Sequence, residues 1–355
     1  FTQIDLEMSF VEEEDIYAIT EGMVKNIFKH CLGVDLKIPF KRITHKEAND
    51  RFGSDKPDLR YGLELREITK EVNESDFTIF KNAISSGAVV KCLIVDSAEF
   101  TRNEIDSLID FAKMNGAKGL AWMKVESGKL ESNIAKYFSD NVQQSIIQKT
   151  SAKEGTTLLF AADSPDKTNS ILSVLRKHIA EKKNLIPPGS HDFLWVTDFP
   201  LFIWNNDDDR IEAAHHLFTM PAKGDLHLLD SEPLKVKARS YDLTLNGVEV
   251  ASGSIRNNDP ELQKKVFKVV NISDAEAEEK FGFLLEAFKY GAPPHGGIAP
   301  GFDRLVALMC GFNDIREVIA FPKNKKAENP MDGCPSDMSP QQLKELGLKL
   351  DFVKD

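Results

Sequence analysis

Asp242 and Glu249 flank an Asn246-Gly247 pair in the run YDLTLNGVEVAS. Asn-Gly between alternating apolar residues predicts a two-residue hairpin turn, because both central positions of that turn need positive φ. Such a turn sets Leu245 opposite Val248 and Thr244 opposite Glu249. Asp242 then shares a face with Glu249, one diagonal step away. Two carboxylates converging there could hold one hard cation; a solvated hairpin face is the plain alternative. Arg256 follows Glu249 by an odd number of residues, so a straight strand turns it to the opposite face. It joins the same pocket only if Ser252-Gly253-Ser254 carries a bulge or ends the strand, which Gly253 makes feasible. There it would offer a rigid two-pronged donor to a carboxylate; otherwise it is a surface cation.

Three further groups could do chemistry. His215 and His216 in AAHHLFTMP are adjacent, which is not metal-ligand geometry; in a strand, one can line a pocket while the other is structural. The opening segment alternates, with Gln3, Asp5, Glu7 and Ser9 on one face and Ile4, Leu6, Met8 and Phe10 on the other. Four hydrogen-bonding groups aligned without a Lys or Arg suit a lined pocket as well as a wet face. GGIAPGFDRL sets three glycines before Asp303-Arg304 at a predicted strand-to-helix junction, where a flat or phosphorylated ligand can approach the backbone. It is neither a Walker A loop nor a GxGxxG fingerprint.

These residues need elements to position them. An acidic turn, Glu12 to Asp15, predicts a helix with Ile16, Ile19, Met23, Ile27 and Cys31 at helical spacing and a stop at Gly33. Pro39 to Leu63 reads as loop-rich. Residues 64–188 change texture to small α/β elements. Their strands are expected at Val89–Val95, Leu120–Val125 and Thr157–Ala162. A capping box at Thr101 and Glu104 opens one helix, and a second runs Thr168–Glu181. Pro187-Pro188-Gly189 punctuates the chain. Beyond it, strands are expected at Phe193–Thr197, Lys235–Ser240 and around the Asn-Gly turn. One helix should run from Asp259-Pro260 to about Tyr290. A glycine-rich strand, Gly296 to Gly301, should then enter a helix, Phe302 to Cys310.

The 355 residues carry 45 Lys and Arg against 56 Asp and Glu, a net charge of −11, which gives no support for a general nucleic-acid coat. Hydrophobic residues make up 41%, yet no apolar run approaches the ~20 residues a bilayer needs. The opening has no signal-peptide pattern, and its lack of Met suggests an upstream part. The 4 cysteines are scattered without a CxxC pair, which fits a reducing compartment and disfavours a zinc knuckle or disulfide framework. Lys323, Lys325 and Lys326 read as a solvated basic loop.

Several strings together resemble a family. FTQIDLEMSF looks like the second half of motif 2 of class II aminoacyl-tRNA synthetases, and GGIAPGFDRL like motif 3. With FGSDKPDLR, GAKGLAW, HHLFTMP, NGVEVASGSIR and APPHGGIAPGFDRLVALM, the whole chain resembles bacterial-type aspartyl-tRNA synthetases. The resemblance implies an α+β fold. A class II antiparallel sheet with flanking helices (1–63 and 189–355) would be interrupted by an inserted α/β GAD domain (64–188), marked by Asn115 to Gly119. It implies ATP as substrate, Mg²⁺ as cofactor, and L-aspartate and tRNA-Asp, with or without tRNA-Asn, as partners. A homodimer in the cytoplasm, with no membrane association, would follow.

By the same resemblance, Arg304 and Glu249 are catalytic. Arg304 would hold the ATP γ-phosphate and stack near the adenine, with Gly301, Phe302 and Asp303 completing that string. Glu249 and Asp242 would position Mg²⁺. Arg256 would pair with the aspartate side chain, His215 would sit beside the substrate, and Gln3, Asp5 and Glu7 would line the pocket floor. The family's motif 2 arginine, motif 1 and the anticodon-binding domain have no counterpart in this stretch, so it should be poorly active alone. Ala251-Ser252 stand where many relatives have glycines, and Leu217 replaces a common proline. An ammonia-dependent asparagine synthetase and a non-catalytic tRNA- or protein-binding relative are the competing readings. The large insertion and NGVEVASGSIR disfavour the first; the Glu249, Arg256 and Arg304 set disfavours the second.

Overall fold

The computed structural model describes residues 1–96 and 98–351; position 97 and the last four of the 189–355 segment lie outside the described residues. The chain divides into two compact units, residues 5–299 and a smaller one of residues 1–4 with 300–355.

The larger unit opens with β1 (Leu6–Ser9) and α1 (Glu13–Leu32). Glu12 and Asp15 form a reciprocal capping box, and Gly33 closes the helix at φ 69°. The helix is as expected, but its buried stripe is not. Ile16, Tyr17, Thr20, Glu21, Val24 and Phe28 face inward, while Ile19 and Cys31 are exposed. Aromatic and polar contacts set this face. Tyr17 packs tilted against Trp195 and edge-on to Tyr241, and Glu21 accepts hydrogen bonds from Trp195 Nε1 (2.9 Å) and the Phe40 amide (3.1 Å). The segment expected to be loop-rich holds β2 (Lys41–Thr44) and α2 (His45–Phe52), the latter capped by the Thr44 hydroxyl.

Next come β3 (Leu65–Glu67), α3 (Thr69–Asn73), α4 (Thr78–Ser85), β4 (Val89–Val95), α5 (Arg102–Met114), β5 (Ala121–Glu126), β6 (Lys129–Glu131), α6 (Asp140–Thr150), β7 (Thr157–Asp163) and α7 (Pro165–Lys182). The strands make a five-stranded sheet in the order β3-β4-β7-β5-β6, with apolar clusters on both faces. Alternation along β7 explains the two layers, since Leu159 and Ala161 join one cluster and Leu158 and Phe160 the other.

We propose that residues 64–188 fold by themselves, with one amendment to the start. Arg176 of α7 is buried and, among the described residues, has no carboxylate partner. Its Nε and NH2 donate to the carbonyls of Asp58, Gly62 and Leu63, and its NH1 donates to Tyr61 Oη. A fragment starting at Glu64 leaves that guanidinium without these acceptors. Residues 58–188 are therefore expected to exceed residues 64–188 in stability by about 1–3 kcal/mol, read from urea unfolding midpoints. Equal midpoints would count against the role given to Arg176.

The remaining strands are β8 (Phe193–Thr197), β9 (Phe202–Asn205), β10 (Arg210–Ala213), β11 (Ser240–Leu245), β12 (Val248–Ile255) and β13 (His295–Pro300). The main sheet runs β1-β13-β12-β11-β8-β2. Pairs β1/β13, β11/β12 and β11/β8 are antiparallel, and β2 lies parallel to β8. The chain is thus mixed α and β with antiparallel sheets. The strand expected at Lys235–Ser240 is absent: a 3₁₀ turn covers Pro233–Lys235, and Lys237 and Ala238 make only isolated bridges. The single helix expected to reach Tyr290 is two, α8 (Pro260–Val269) and α9 (Asp274–Lys289). Asn271 at φ 59° breaks the run, and Ser273 caps the restart.

The smaller unit contains α10 (Phe302–Met309), with Gly301 as its N-cap residue.

Candidate active site

The hairpin is built as its residues require. Asn246 and Gly247 take φ 55° and 80°. The Asn246 side chain is locked, accepting from the Asp192 amide (2.9 Å) and donating to the Ser190 carbonyl (3.1 Å). Leu245 pairs with Val248 and Thr244 with Glu249. Beyond that the register slips, because Leu243 pairs with Ala251 and Asp242 with Ser252, leaving Val250 as the extra residue.

This bulge answers the parity problem, a few residues upstream of where the sequence suggested. Partners across a ladder share a face, so Glu249, Ser252 and Ser254 all lie on the side of Thr244, Asp242 and Ser240. Arg256 follows Ser254 by two residues and donates to its hydroxyl at 2.8 Å. Glu249 and Arg256 thus come to one face of the sheet although their spacing is odd. The expected bulge at 252–254 is not there; those residues pair in register with Asp242, Tyr241 and Ser240.

Asp242 is buried at 6% exposure, and its carboxyl is pushed up to about 7. Burial is the main cause, and the charges of Glu249 and Asp55 add to it, while a hydrogen bond from Ser252 and the charge of Lys56 oppose it. Asp242 is costly to ionise where it is buried, and a cation beside it would relieve that cost. Among the described residues, no group of three or more His, Cys, Asp or Glu could hold a metal. Two carboxylates alone match the donor set of Mg²⁺, which keeps several waters and takes phosphate oxygens for the rest. Asp242→Asn is expected to leave the melting midpoint unchanged or higher without divalent cation, since it removes a buried charge. It should also abolish any Mg²⁺-dependent rise in that midpoint. A markedly lower midpoint without cation would argue against this account.

Arg256 meets a carboxylate from the first strand. Its Nε and NH2 donate to Glu7 Oε1 (3.2 Å) and Oε2 (3.1 Å). Glu7 and Ser9 are exposed while Leu6 and Met8 are half-buried, which is the alternation read from the sequence. Gly297 lies opposite Glu7, and a Cβ there would stand 2.2 Å from the Leu6 carbonyl oxygen and 2.3 Å from Glu7 Oε2. Its glycine therefore makes room for the Glu7 carboxylate. Asp5 is exposed just before β1.

The two histidines occupy a bend after β10 rather than a strand. His215 stands edge-on to Phe199 at 5.0 Å and feels the charges of Glu249 and Asp55. His216 accepts from the Phe218 amide through Nδ1 (3.2 Å) and feels the positive charge of Arg256. Both rings remain accessible to solvent. Desolvation by the surrounding protein nonetheless holds both imidazoles below the usual histidine range; the charge of Arg256 adds to it at His216, while those of Glu249 and Asp55 oppose it at His215. Sequence reasoning singled out His215 for the substrate and missed that His216 is the one in the field of Arg256. It also gave no role to Asp55, whose charge reaches Asp242, His215 and His45. No spacing rule links residue 55 to residue 242.

In the smaller unit, Gln3 bridges to Gly301. Asp303 accepts the Thr2 amide at 2.7 Å, and the Phe302 amide donates to the Thr2 carbonyl at 3.0 Å. Phe302 and Arg304 are exposed on the first turn of α10.

The profile of the class II tRNA synthetases (D, K and N) matches residues 1–325. The Aspartate--tRNA(Asp/Asn) ligase of Caldanaerobacter subterraneus subsp. tengcongensis is 49% identical over 353 residues, covering 99% of this chain and 60% of that protein. That of Persephonella marina is 48% identical over 363 residues, covering 100% and 60%. The chain therefore spans about 60% of the length of these curated relatives. Among solved structures, Entamoeba histolytica asparaginyl-tRNA synthetase in complex with asparaginyl-adenylate aligns over 92% of this chain and 48% of its own, at 15% identity and a TM-score of 0.42. No described helix is long and apolar enough to cross a membrane.

Proposed function

Because the chain belongs to the class II tRNA synthetases (D, K and N), we propose that it represents an aspartate–tRNA ligase, which activates L-aspartate with ATP and passes the aspartyl group to tRNA. The observation that carries the choice of amino acid is the two-pronged pairing of Arg256 with a carboxylate, that of Glu7. A substrate side-chain carboxylate fits the same fork. Asparagine would present one acceptor and one misplaced N–H₂ donor to it.

Activation needs no covalent intermediate on the enzyme. An α-carboxylate oxygen of aspartate attacks the α-phosphorus of ATP in line, the bond to the bridging oxygen breaks, and pyrophosphate leaves. A ribose hydroxyl at the tRNA end then attacks the acyl carbon, and AMP leaves. Positioning and charge neutralisation supply the acceleration. Arg256 orients the amino acid, with Gln3, Asp5 and His215 assigned to the same substrate. Arg304, with Gly301, Phe302 and Asp303, is assigned to ATP. Mg²⁺ held by Asp242 and Glu249 would clamp phosphate oxygens and act as a Lewis acid.

The two relatives are ligases named for tRNA(Asp/Asn), so we assign both tRNAs to this protein. A cytoplasmic homodimer belongs to the same reading. The test is aspartate-dependent ATP–pyrophosphate exchange and aspartyl-tRNA formation by the full-length gene product. Asparagine formation from ammonia without tRNA charging, or neither activity, would overturn it.

A further inference from the structure

The five-stranded sheet carries a pocket of about 690 Å³, remote in sequence from Asp242, Glu249 and Arg256. Its origin is a mismatch in strand length. β7 runs to Asp163, but β5 begins at Ala121 opposite Phe160. The last three residues of β7 therefore have no β5 partner, and residues 118–120 line the gap instead. Its apolar lining comes from both layers at this open end of the sheet, Phe77, Phe80, Ile134 and Phe160 from one and Leu120 and Trp122 from the other. That volume and lining suit a small organic ligand.

The polar groups in the pocket define the ligand's chemistry. Lys118 and Lys167 both lie 3.4 Å from Asp163 Oδ2, so one carboxylate is shared by two ammonium groups. Arg102 keeps only an exposed 3.4 Å contact from Nε to Asp106. The lining thus has a surplus of positive charge from Arg102 and Lys118, in a chain whose net charge is −11. The side-chain amides of Asn82 and Asn133 also line the pocket, and among the described residues neither they nor Trp122 Nε1 make a hydrogen bond. Aromatic rings can stack a flat base, the exposed amides can read its polar edge, and Arg102 and Lys118 can hold an anion. An acyl chain would leave the amides and cations unused.

We propose that this pocket binds a nucleotide, with the base among its aromatic rings and the phosphate against Arg102 and Lys118. The nucleotide can be free or an unstacked residue of single-stranded RNA. Both present the same chemistry, and this proposal does not depend on the aspartate reading.

Uridine 5′-monophosphate and a uridine trinucleotide are the probes, because adenine nucleotides would also report on the proposed ATP site. Binding to the 355-residue chain is followed by calorimetry, and the contact is mapped by photo-crosslinking 4-thiouridine monophosphate. The expected crosslink falls on the peptide carrying Trp122. Binding should weaken at least tenfold in the double variant Arg102→Glu/Lys118→Glu, whose side chains are exposed, and in Ala83→Trp, which fills the pocket. Equal affinities for the two probes assign a free nucleotide, and a tenfold preference for the trinucleotide assigns RNA. No binding of either probe, a crosslink outside residues 77–164, or affinity unchanged in both variants would overturn the proposal.

Discussion

Arg256→Gln in the full-length protein is expected to lower kcat/KM for aspartate by at least ~100-fold, with the KM for ATP changed far less. A carboxylate entering a protein site needs a fixed cation, because desolvating it unpaired costs several kcal/mol. Arg256 offers two donors in one plane, as its bonds to Glu7 of 3.2 and 3.1 Å demonstrate. Losing such a charge pair is worth about 2–5 kcal/mol, and ~100-fold corresponds to the lower part of that range. Arg256→Lys should recover only part of the loss, since a point charge cannot bond both oxygens in parallel. Collapse of ATP affinity with aspartate affinity intact would remove Arg256 from the amino-acid site.

Gly253→Ala is expected to destabilise the larger unit by about 3 kcal/mol or more, at the upper end for over-packing. The added Cβ would lie 2.2 Å from the Gly297 carbonyl oxygen, 2.7 Å from Tyr241 Cε2 and 2.9 Å from Ile298 Cα. Two of these atoms are backbone of the neighbouring strand. The third belongs to a buried ring whose hydroxyl donates to that same Gly297 carbonyl at 3.0 Å. None can yield without opening the β12/β13 contact. Gly224→Ala is the control, because nothing stands within 4 Å of its Cβ position. A urea midpoint for Gly253→Ala equal to that of the control would refute the steric account.

Local chemistry was legible where one short segment decides the outcome. The Asn246-Gly247 turn, the capping box at Thr101 and Glu104, and the strand Val89–Val95 all form as their residues require. The stop at Gly33 does too. Each depends on φ sterics, a side chain reaching three residues along, or a β-branched run, and all of these are visible in a few letters. The pairing of Glu249 with Thr244, and with it the shared face of Asp242, follows from the turn alone.

What a segment packs against is a different matter. The stripe of α1 turned because Tyr17 and Glu21 find Trp195 and Tyr241, far along the chain, so helical spacing of aliphatic residues could not reveal it. The helix expected to reach Tyr290 broke at Asn271, a position that periodicity alone passes over.

By itself, the sequence determined the family strings, the hairpin, and the condition that Arg256 shares a face with Glu249 only if the strand bulges or ends between them. Tertiary structure decided where the bulge goes. Val250 takes the slip, while residues 252–254 stay in register beside β13, where Gly253 has room only for hydrogen. It also decided which carboxylate meets Arg256 and which charges surround Asp242, because Glu7 and Asp55 are separated from them by nearly two hundred residues or more. A ladder transmits its register locally, but a charge acts through space on whatever the fold brings near.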